Sequence, residues 1–485
     1  MRRISVSAIG MSLAVVLFLL VFFLCRDLEY PQQITASIFS AVIILWITEA
    51  LPLAVTALLG ATLLVLFGVS DEKKVFSAFG EPTILLFIGS FLLAKGLHIS
   101  ALDRRIAYLL LRYPWASRTP KRLLFTVAVI TCSISLFVSN TAVTAMMLPI
   151  GLSLLGALGR GAQDSKYAIG MMLVLTWSSS VAVGVIVGTP PNLIAHDHIK
   201  NVAGVDITFL QWVAFAMPIN IVMLVLSWLV LSFLYGQNAP STENASNVAK
   251  EDLEKMGPLS TSERNALIAF LITLFLWLLP DTSAMILGQE SLFAKWSQKH
   301  IPPSVASLIG AMLLFLLPAK DTESKRTLSW KQGASIDWGT ILLFAGGIAL
   351  GNAMHETGLA ETLGKTITRL FGIESVWVLT AMTTALAILL SELASNTSAA
   401  AAIVPMSIGV AQGAGMSPIP PALGAAIGAS FGFMLPISTP PNAIVYSSGL
   451  VPAREMMRSG FLFDIAGWIV TVVALRVILP PMGLG

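Results

Sequence analysis

The sequence predicts an all-α integral membrane protein, and three observations carry that expectation. Of 485 residues, 56% are hydrophobic and only 11% charged, against about 25% charged in soluble domains. The apolar residues gather into runs long enough for membrane helices. These runs do not follow the two-residue alternation of lipid-facing barrel strands.

The first run, Ala8 to Leu24, follows the basic pair Arg2 and Arg3, lacks a small-residue cleavage site after it, and is soon followed by a second run. It reads as a retained helix and not a signal peptide. Ile34 to Ala50, Leu53 to Gly68 and Thr83 to Ile99 are the next spans. Apolar arms Leu123 to Val138 and Ala142 to Ala157 flank "SNT" at Ser139 and read as a re-entrant hairpin. A long segment, Ala168 to Ala195, is interrupted by "TPPN" at Thr189 and leads to Thr208 to Tyr235. The polar stretch 236–263 has no apolar core of its own and reads as a cytoplasmic connector. Beyond it lie Ile268 to Leu279, Ile301 to Leu317, Thr340 to Thr357, a second "SNT" hairpin at Ser395, a second interrupted segment from Ala422 to Val445, and Phe461 to Leu479. The expectation is about 11 transmembrane helices plus two re-entrant hairpins.

These elements repeat. "TILLFIGS" at Thr83 matches "TILLFAGG" at Thr340, with His98 and His355 at the same distance after each start. "SNTAVTAMMLP" at Ser139 matches "SNTSAAAAIVP" at Ser395, displaced by 256 residues. "GTPPNLIA" at Gly188 matches "STPPNAIV" at Ser438, displaced by 250. Five crossings separate Thr83 from Thr340, so the repeats are expected to be inverted, as in many secondary transporters. With the N-terminus in the cytoplasm, 19 Lys and Arg residues fall on the inner side and 8 on the outer, in accord with the positive-inside rule. The formal charge of +3 is loop charge and gives no reason to expect nucleic-acid binding. Cys25 and Cys132 are too few for a disulfide framework.

The small polar motifs have a local chemistry. Ser, Asn and Thr start helices by accepting from free backbone N–H groups, so SNT turns the hairpin and opens its second arm. Pro suits a first helical turn but disrupts continuation from the preceding helix, so Thr189 and Thr439 mark breaks. Irregular backbone at membrane depth belongs in a protein-lined cavity. Helix N-termini there attract anions, while free carbonyls suit hard cations. Leu123 to Gly159, Ala168 to Ala195 and Leu393 to Gly449 contain no Asp, Glu, Lys or Arg. A dianion held there needs dipoles for hydrogen bonds and co-bound cations for charge.

With "SFGFMLPISTPPNAIV" from Ser430 to Val445 added, these motifs resemble the divalent anion/sodium symporter family over nearly the whole chain. That family carries di- and tricarboxylates or sulfate. The resemblance implies a homodimer in which a transport unit slides against a scaffold, an elevator-type mechanism. It divides the chain into N-terminal scaffold helices (1–122), a first transport half (123–235), a cytoplasmic linker (236–263), second scaffold helices (264–373) and a second transport half (374–485). It implies one Na⁺ site at Ser135, Ser139, Asn140 and the Gly188 carbonyl. A second is implied at Ser391, Ala394, Asn396 and the Ser438 carbonyl. Substrate carboxylates are expected at Ser139, Asn140, Thr141 and Thr189, and at Ser395, Asn396, Thr397 and Thr439. Ser391 stands where relatives often carry Thr, and the hydroxyl is kept.

The expected function is Na⁺-coupled import of a C4-dicarboxylate such as succinate, malate or fumarate, in a plasma membrane. A Na⁺-independent dicarboxylate exchanger, a sulfate or citrate carrier and an anion channel are the alternatives. An enzyme is not expected: "GASFG" at Gly428 matches a hydrolase pattern but lies in a small-residue run suited to helix packing. Plain helix capping is the bland reading of SNT, and duplication at matched spacing weighs against it. Glu49, Lys95, His98, His355, Glu356 and Glu392 are intramembrane ionisable groups, for which structural pairing is expected. Glu392 either biases the second cation site or steadies the hairpin.

Overall fold

The computed structural model describes residues 6–159, 162, 165–236, 242 and 244–485. Arg2, Arg3, Arg160 and part of the linker, all placed on the inner side above, lie outside them. A first helix, α1 (Val6–Leu24), precedes two structurally matched series. The first contains α2 (Tyr30–Thr48), α3 (Leu53–Leu66), α4 (Glu72–Ser77), α5 (Pro82–Ile99), α6 (Leu102–Leu111), α7 (Pro114–Ser117), α8 (Pro120–Ser135), α9 (Asn140–Ala157), α10 (Lys166–Ser180), α11 (Pro190–Ala203) and α12 (Phe209–Tyr235). A linker helix α13 (Ala245–Lys255) follows. The second series contains α14 (Thr261–Leu287), α15 (Leu292–His300), α16 (Pro303–Leu316), α17 (Trp330–Gly333), α18 (Trp338–Glu356), α19 (Leu359–Phe371), α20 (Val376–Leu393), α21 (Asn396–Gly413), α22 (Ile419–Ala429), α23 (Pro440–Ser447) and α24 (Ala453–Ile478).

Two helix pairs repeat residue for residue. Helices α9 and α21 start and end 256 residues apart, and α3 and α16 start and end 250 apart. Pro149 and Pro405 sit at equivalent points inside α9 and α21. Each expected span has a helix in its place. Among the described residues eight helices are long and apolar enough to cross a bilayer, or nine if the α15–α16 pair, bent by 68°, is one span. The hairpin arms α9 and α20 are among the eight. Helices α3, α10 and α22 fall short of a full crossing because they are short or broken, with 14, 15 and 11 residues.

The halves interlock. Helix α9 of the first series packs on α23 of the second, and α21 of the second packs on α11 of the first. Close approach is set by small residues, as at Gly409 of α21 against Ala360 of α19. The most apolar long helices, α1, α12 and α24, leave much of their surface exposed, as lipid-facing helices do.

The polar linker carries more structure than its composition suggested. Helix α13 buries Ala245, Ser246 and Ala249 and packs on α6 and α9. Ser246→Ala is expected to leave transport and melting temperature unchanged, because its neighbours Ala245 and Ala249 already fill the same surface with methyl groups. An uptake assay on that variant checks it.

Beside the linker, Arg105 Nε donates to Glu263 Oε1 at 2.6 Å, and its guanidinium also donates to the Gly257 carbonyl at 2.9 Å. Glu263 Oε2 in turn accepts from Ser260 N at 2.7 Å, capping α14. Both side chains are buried. Arg105→Met strands the carboxylate and is expected to cost about 3–5 kcal/mol of stability. Thermal melts of Arg105→Met and of the double variant with Glu263→Gln check this, the double variant losing less.

Two of the ionisable groups are paired with charged partners. His98 Nδ1 bonds Asp103 Oδ2 at 3.0 Å and Glu356 pairs with Lys74 at 2.9 Å. Glu49 terminates α2 in a left-handed conformation, φ 46°. The repeated Thr residues diverge: Thr340 Oγ1 donates to Asp337 Oδ2 at the start of its own helix, whereas Thr83 Oγ1 donates across the fold to Asp197 Oδ1 at 2.8 Å.

Candidate functional site

Each SNT motif begins a helix, as capping chemistry requires. Ser139 Oγ accepts from Ala142 N at 3.4 Å and Ser395 Oγ from Ser398 N at 3.2 Å, equivalent bonds 256 residues apart. The bland capping reading therefore holds for both Ser side chains. Capping leaves the following Asn and Thr side chains unused.

The Asn residues carry a second, equally symmetric arrangement. Ser135 Oγ donates to Asn140 Oδ1 at 2.8 Å and lies 3.0 Å from the Ser179 carbonyl. Ser391 Oγ donates to Asn396 Oδ1 at 2.8 Å and lies 2.7 Å from the Ala429 carbonyl. A hydroxyl has one proton. Once that proton is given to the backbone carbonyl, the hydroxyl and amide oxygens face each other with lone pairs, and a cation between them relieves the repulsion.

The TPPN breaks are wide. Helix α10 stops at Ser180 and α11 starts at Pro190; α22 stops at Ala429 and α23 starts at Pro440. Thr189 and Thr439 are the N-caps of the following helices, both in extended conformation. The Asn of each motif ties the break together. Asn192 Nδ2 donates to the Val183 and Val185 carbonyls, both at 3.0 Å, and Asn442 Nδ2 to the Gly432 and Leu435 carbonyls, both at 2.9 Å. Among the described residues the Gly188, Ala394 and Ser438 carbonyls accept no hydrogen bond. Free carbonyl, amide and hydroxyl oxygens are hard donors, the kind that suit Na⁺ better than a soft metal.

The breaks also meet each other. Thr189 Oγ1 lies 3.1 Å from Ser430 Oγ, and Thr176 Oγ1 donates to Asn442 Oδ1 at 2.5 Å. Thr176, Ser179, Asn192, Ser430 and Asn442 are buried contributors that the motif reading did not single out. The repeated Asn of PPN, displaced by 250 residues, was the available signal. No hydrogen bond among the described residues joins Ser139, Asn140 or Thr141 directly to Ser395, Asn396 or Thr397. The first tip is the more open: Ser139 and Thr141 are exposed, whereas Thr397 is 9% exposed.

The broken segments hold no charged residue, but their surroundings do. Glu392, one residue outside the charge-free stretch, accepts from Met434 N at 2.8 Å and Leu435 N at 2.9 Å. Asp464 Oδ1 of α24 accepts from Phe433 N at 3.4 Å. A groove of about 420 Å³ lined by Trp377, Met382, Trp468 and Arg476 opens elsewhere, between α20 and α24. Its open, apolar wall suits lipid chains better than a dianion.

Membrane-spanning helices, paired helix breaks and uncharged oxygen-rich tips define a multi-pass membrane transporter, not an enzyme. A family model for the sodium:sulfate symporter transmembrane region matches residues 5–483, and the chain belongs to that family. It is 30% identical to the sodium-dependent dicarboxylate transporter SdcS of Staphylococcus saprophyticus over 448 residues, covering 90% of this chain and 84% of the relative. The SdcS of Staphylococcus aureus (strain USA300) is also 30% identical, over 489 residues that cover 97% of this chain and 91% of the relative. Two solved transporters share the fold. The Alcanivorax borkumensis YdaH transporter aligns with a TM-score of 0.56 at 14% identity, covering 93% of this chain and 98% of its own. Neisseria gonorrhoeae MtrF aligns with a TM-score of 0.59 at 13% identity, covering 94% and 96%.

Proposed function

We propose that the protein is a Na⁺-coupled symporter of C4-dicarboxylates such as succinate, malate and fumarate. The observation that carries the reading is the duplicated Ser–Asn oxygen pair, Ser135 with Asn140 and Ser391 with Asn396, each also within hydrogen-bond distance of a backbone carbonyl at the end of a broken helix, Ser179 and Ala429. Ser135, Ser139, Asn140 and the Gly188 carbonyl form one Na⁺ site; Ser391, Ala394, Asn396 and the Ser438 carbonyl form the other. Asn140, Thr141 and Thr189 from one half, and Asn396, Thr397 and Thr439 from the other, meet the substrate carboxylates together with Ser139 and Ser395. The names of the SdcS relatives, sodium-dependent dicarboxylate transporters, support the choice of ion and substrate.

The physical logic is compensation of charge. A dianion leaving water for an apolar site is prohibitively costly unless neutralised, so cations must enter with it. Where cation charge exceeds anion charge, the membrane potential adds about 2.3 kcal/mol per net charge per 100 mV. The working unit is a homodimer in a plasma membrane, N-terminus in the cytoplasm. Residues 123–235 and 374–485 slide as a transport unit against the scaffold of 1–122 and 264–373.

Radiolabelled succinate uptake into proteoliposomes tests this reading. Accumulation under an inward Na⁺ gradient, with none under an equal K⁺ gradient, is expected. Uptake that ignores Na⁺ and requires internal succinate makes the protein an exchanger instead.

A further inference from the structure

We infer that Glu392 is a positioning residue of the second cation site, doing with a carboxylate what the first half does by direct backbone packing. This rests on the symport reading above. Glu392 is the penultimate residue of α20, next to Ser391, and is buried. Its Oε1 accepts from Met434 N at 2.8 Å, its Oε2 from Leu435 N at 2.9 Å, and the Ser438 hydroxyl donates to the same Oε2. Three points on the loop 430–439 are thereby fixed to one side chain, and the last of them is the residue whose carbonyl faces the cation. Ser438 Oγ also accepts from Leu435 N at 3.2 Å, closing the turn on itself.

The opposite side of this loop is equally constrained. A Cβ on Gly460 of α24 would fall 2.5 Å from Met434 Cα and closer still to the Phe433 carbonyl. Phe433 packs on Phe463 with ring centres 4.7 Å apart, and Phe463 stacks on Trp177 at 4.3 Å. The loop is thus wedged between α20 and α24, with the Glu392 carboxylate setting its register.

The first half has no such carboxylate. The positions equivalent to Glu392 and Ser438 are Leu136 and Gly188, neither of which has a polar side chain, whereas the bond from Asp464 has a counterpart in Asn220 of α12, whose Oδ1 accepts from Gly184 N at 3.3 Å. Gly188 closes that turn by contact: a Cβ there would lie 2.5 Å from the Ala182 carbonyl and 3.4 Å from the Leu136 carbonyl. Leu136 with Gly188, and Glu392 with Ser438, are two solutions to one problem, holding a carbonyl toward a bound ion. Only the second depends on a carboxylate.

Na⁺ titrations of wild type and Glu392→Gln, read both by thermal stabilisation of the purified protein and by succinate uptake, test the inference. A carboxamide keeps the size of Glu392 but turns an N–H₂ group toward one of the loop donors, so the clamp cannot close. The half-saturating Na⁺ concentration is expected to rise roughly 10–100-fold in both readouts, the range for losing a partner that orients a metal ligand. Succinate half-saturation at saturating Na⁺ should stay near wild type. An unshifted Na⁺ curve overturns the inference even if the melting temperature falls, since a merely structural role predicts that outcome. Should Glu392→Gln not fold, Ser438→Ala removes one bond of the clamp and must shift the Na⁺ curve in the same direction. A wild type without any Na⁺ dependence defeats the symport reading and this inference together. Wild-type dependence with unshifted variants defeats the inference alone.

Discussion

Asn140→Ala and Asn396→Ala should each reduce Na⁺-driven uptake to background while the protein remains folded. Either change deletes one of two oxygens poised for a cation. In the first half the Ser135 hydroxyl still has the Ser179 carbonyl at 3.0 Å, so no buried donor is stranded and the stability loss stays near 1 kcal/mol. Asn396 also donates through Nδ2 to the Ser430 carbonyl at 3.3 Å, so its loss destabilises somewhat more. The effect on transport is far larger. With one cation missing, the dianion carries uncompensated charge into an apolar site, a penalty of several kcal/mol, and every ~1.4 kcal/mol is tenfold in an equilibrium constant. Uptake measured beside melting temperature separates the two effects. Near-normal uptake in either variant would remove that Asn from the site.

Gly188→Ala is the second large effect. The added methyl would lie 2.5, 3.1 and 3.4 Å from the carbonyl oxygens of Ala182, Val185 and Leu136. All three are backbone atoms, so no rotamer change gives relief and the turn itself must open. Overpacking of this kind costs about 1–3 kcal/mol, and it moves the carbonyl assigned to the first cation site. Na⁺-driven uptake should fall at least tenfold, with the half-saturating Na⁺ concentration raised. The measurement is a Na⁺ titration of uptake by this variant. A wild-type curve would show that the first turn tolerates displacement and that its carbonyl does not bind the ion.

The features legible in the sequence were those with local causes. Ser139 and Ser395 cap helices because of their own side chains, and Pro190 and Pro440 start helices because proline fits a first turn. Matching motifs in the same order, displaced by 250 to 257 residues, made the repeat visible without any contact information. The contacts that were missed join distant residues of ordinary type. Thr176 bonds Asn442 across 266 positions and Thr189 meets Ser430 across 241. Nothing in a lone Thr marks such a partner. Glu392 was noticed, but its three loop bonds span more than 40 positions, and Asp464 gave no signal inside an apolar helix. Helix α13 escaped because a short polar helix lacks the long apolar run that revealed the others.

The central claim is that two repeated oxygen pairs hold the cations that neutralise one dianion. An experimental structure of the protein in lipid, determined with succinate and Na⁺ present, tests it most directly. The account predicts one ion against Ser135, Asn140 and the Gly188 carbonyl, another against Ser391, Asn396 and the Ser438 carbonyl, and succinate reaching Thr141 and Thr397. Succinate bound elsewhere, or bound with both Ser–Asn hydrogen bonds intact and no ion beside them, would contradict it.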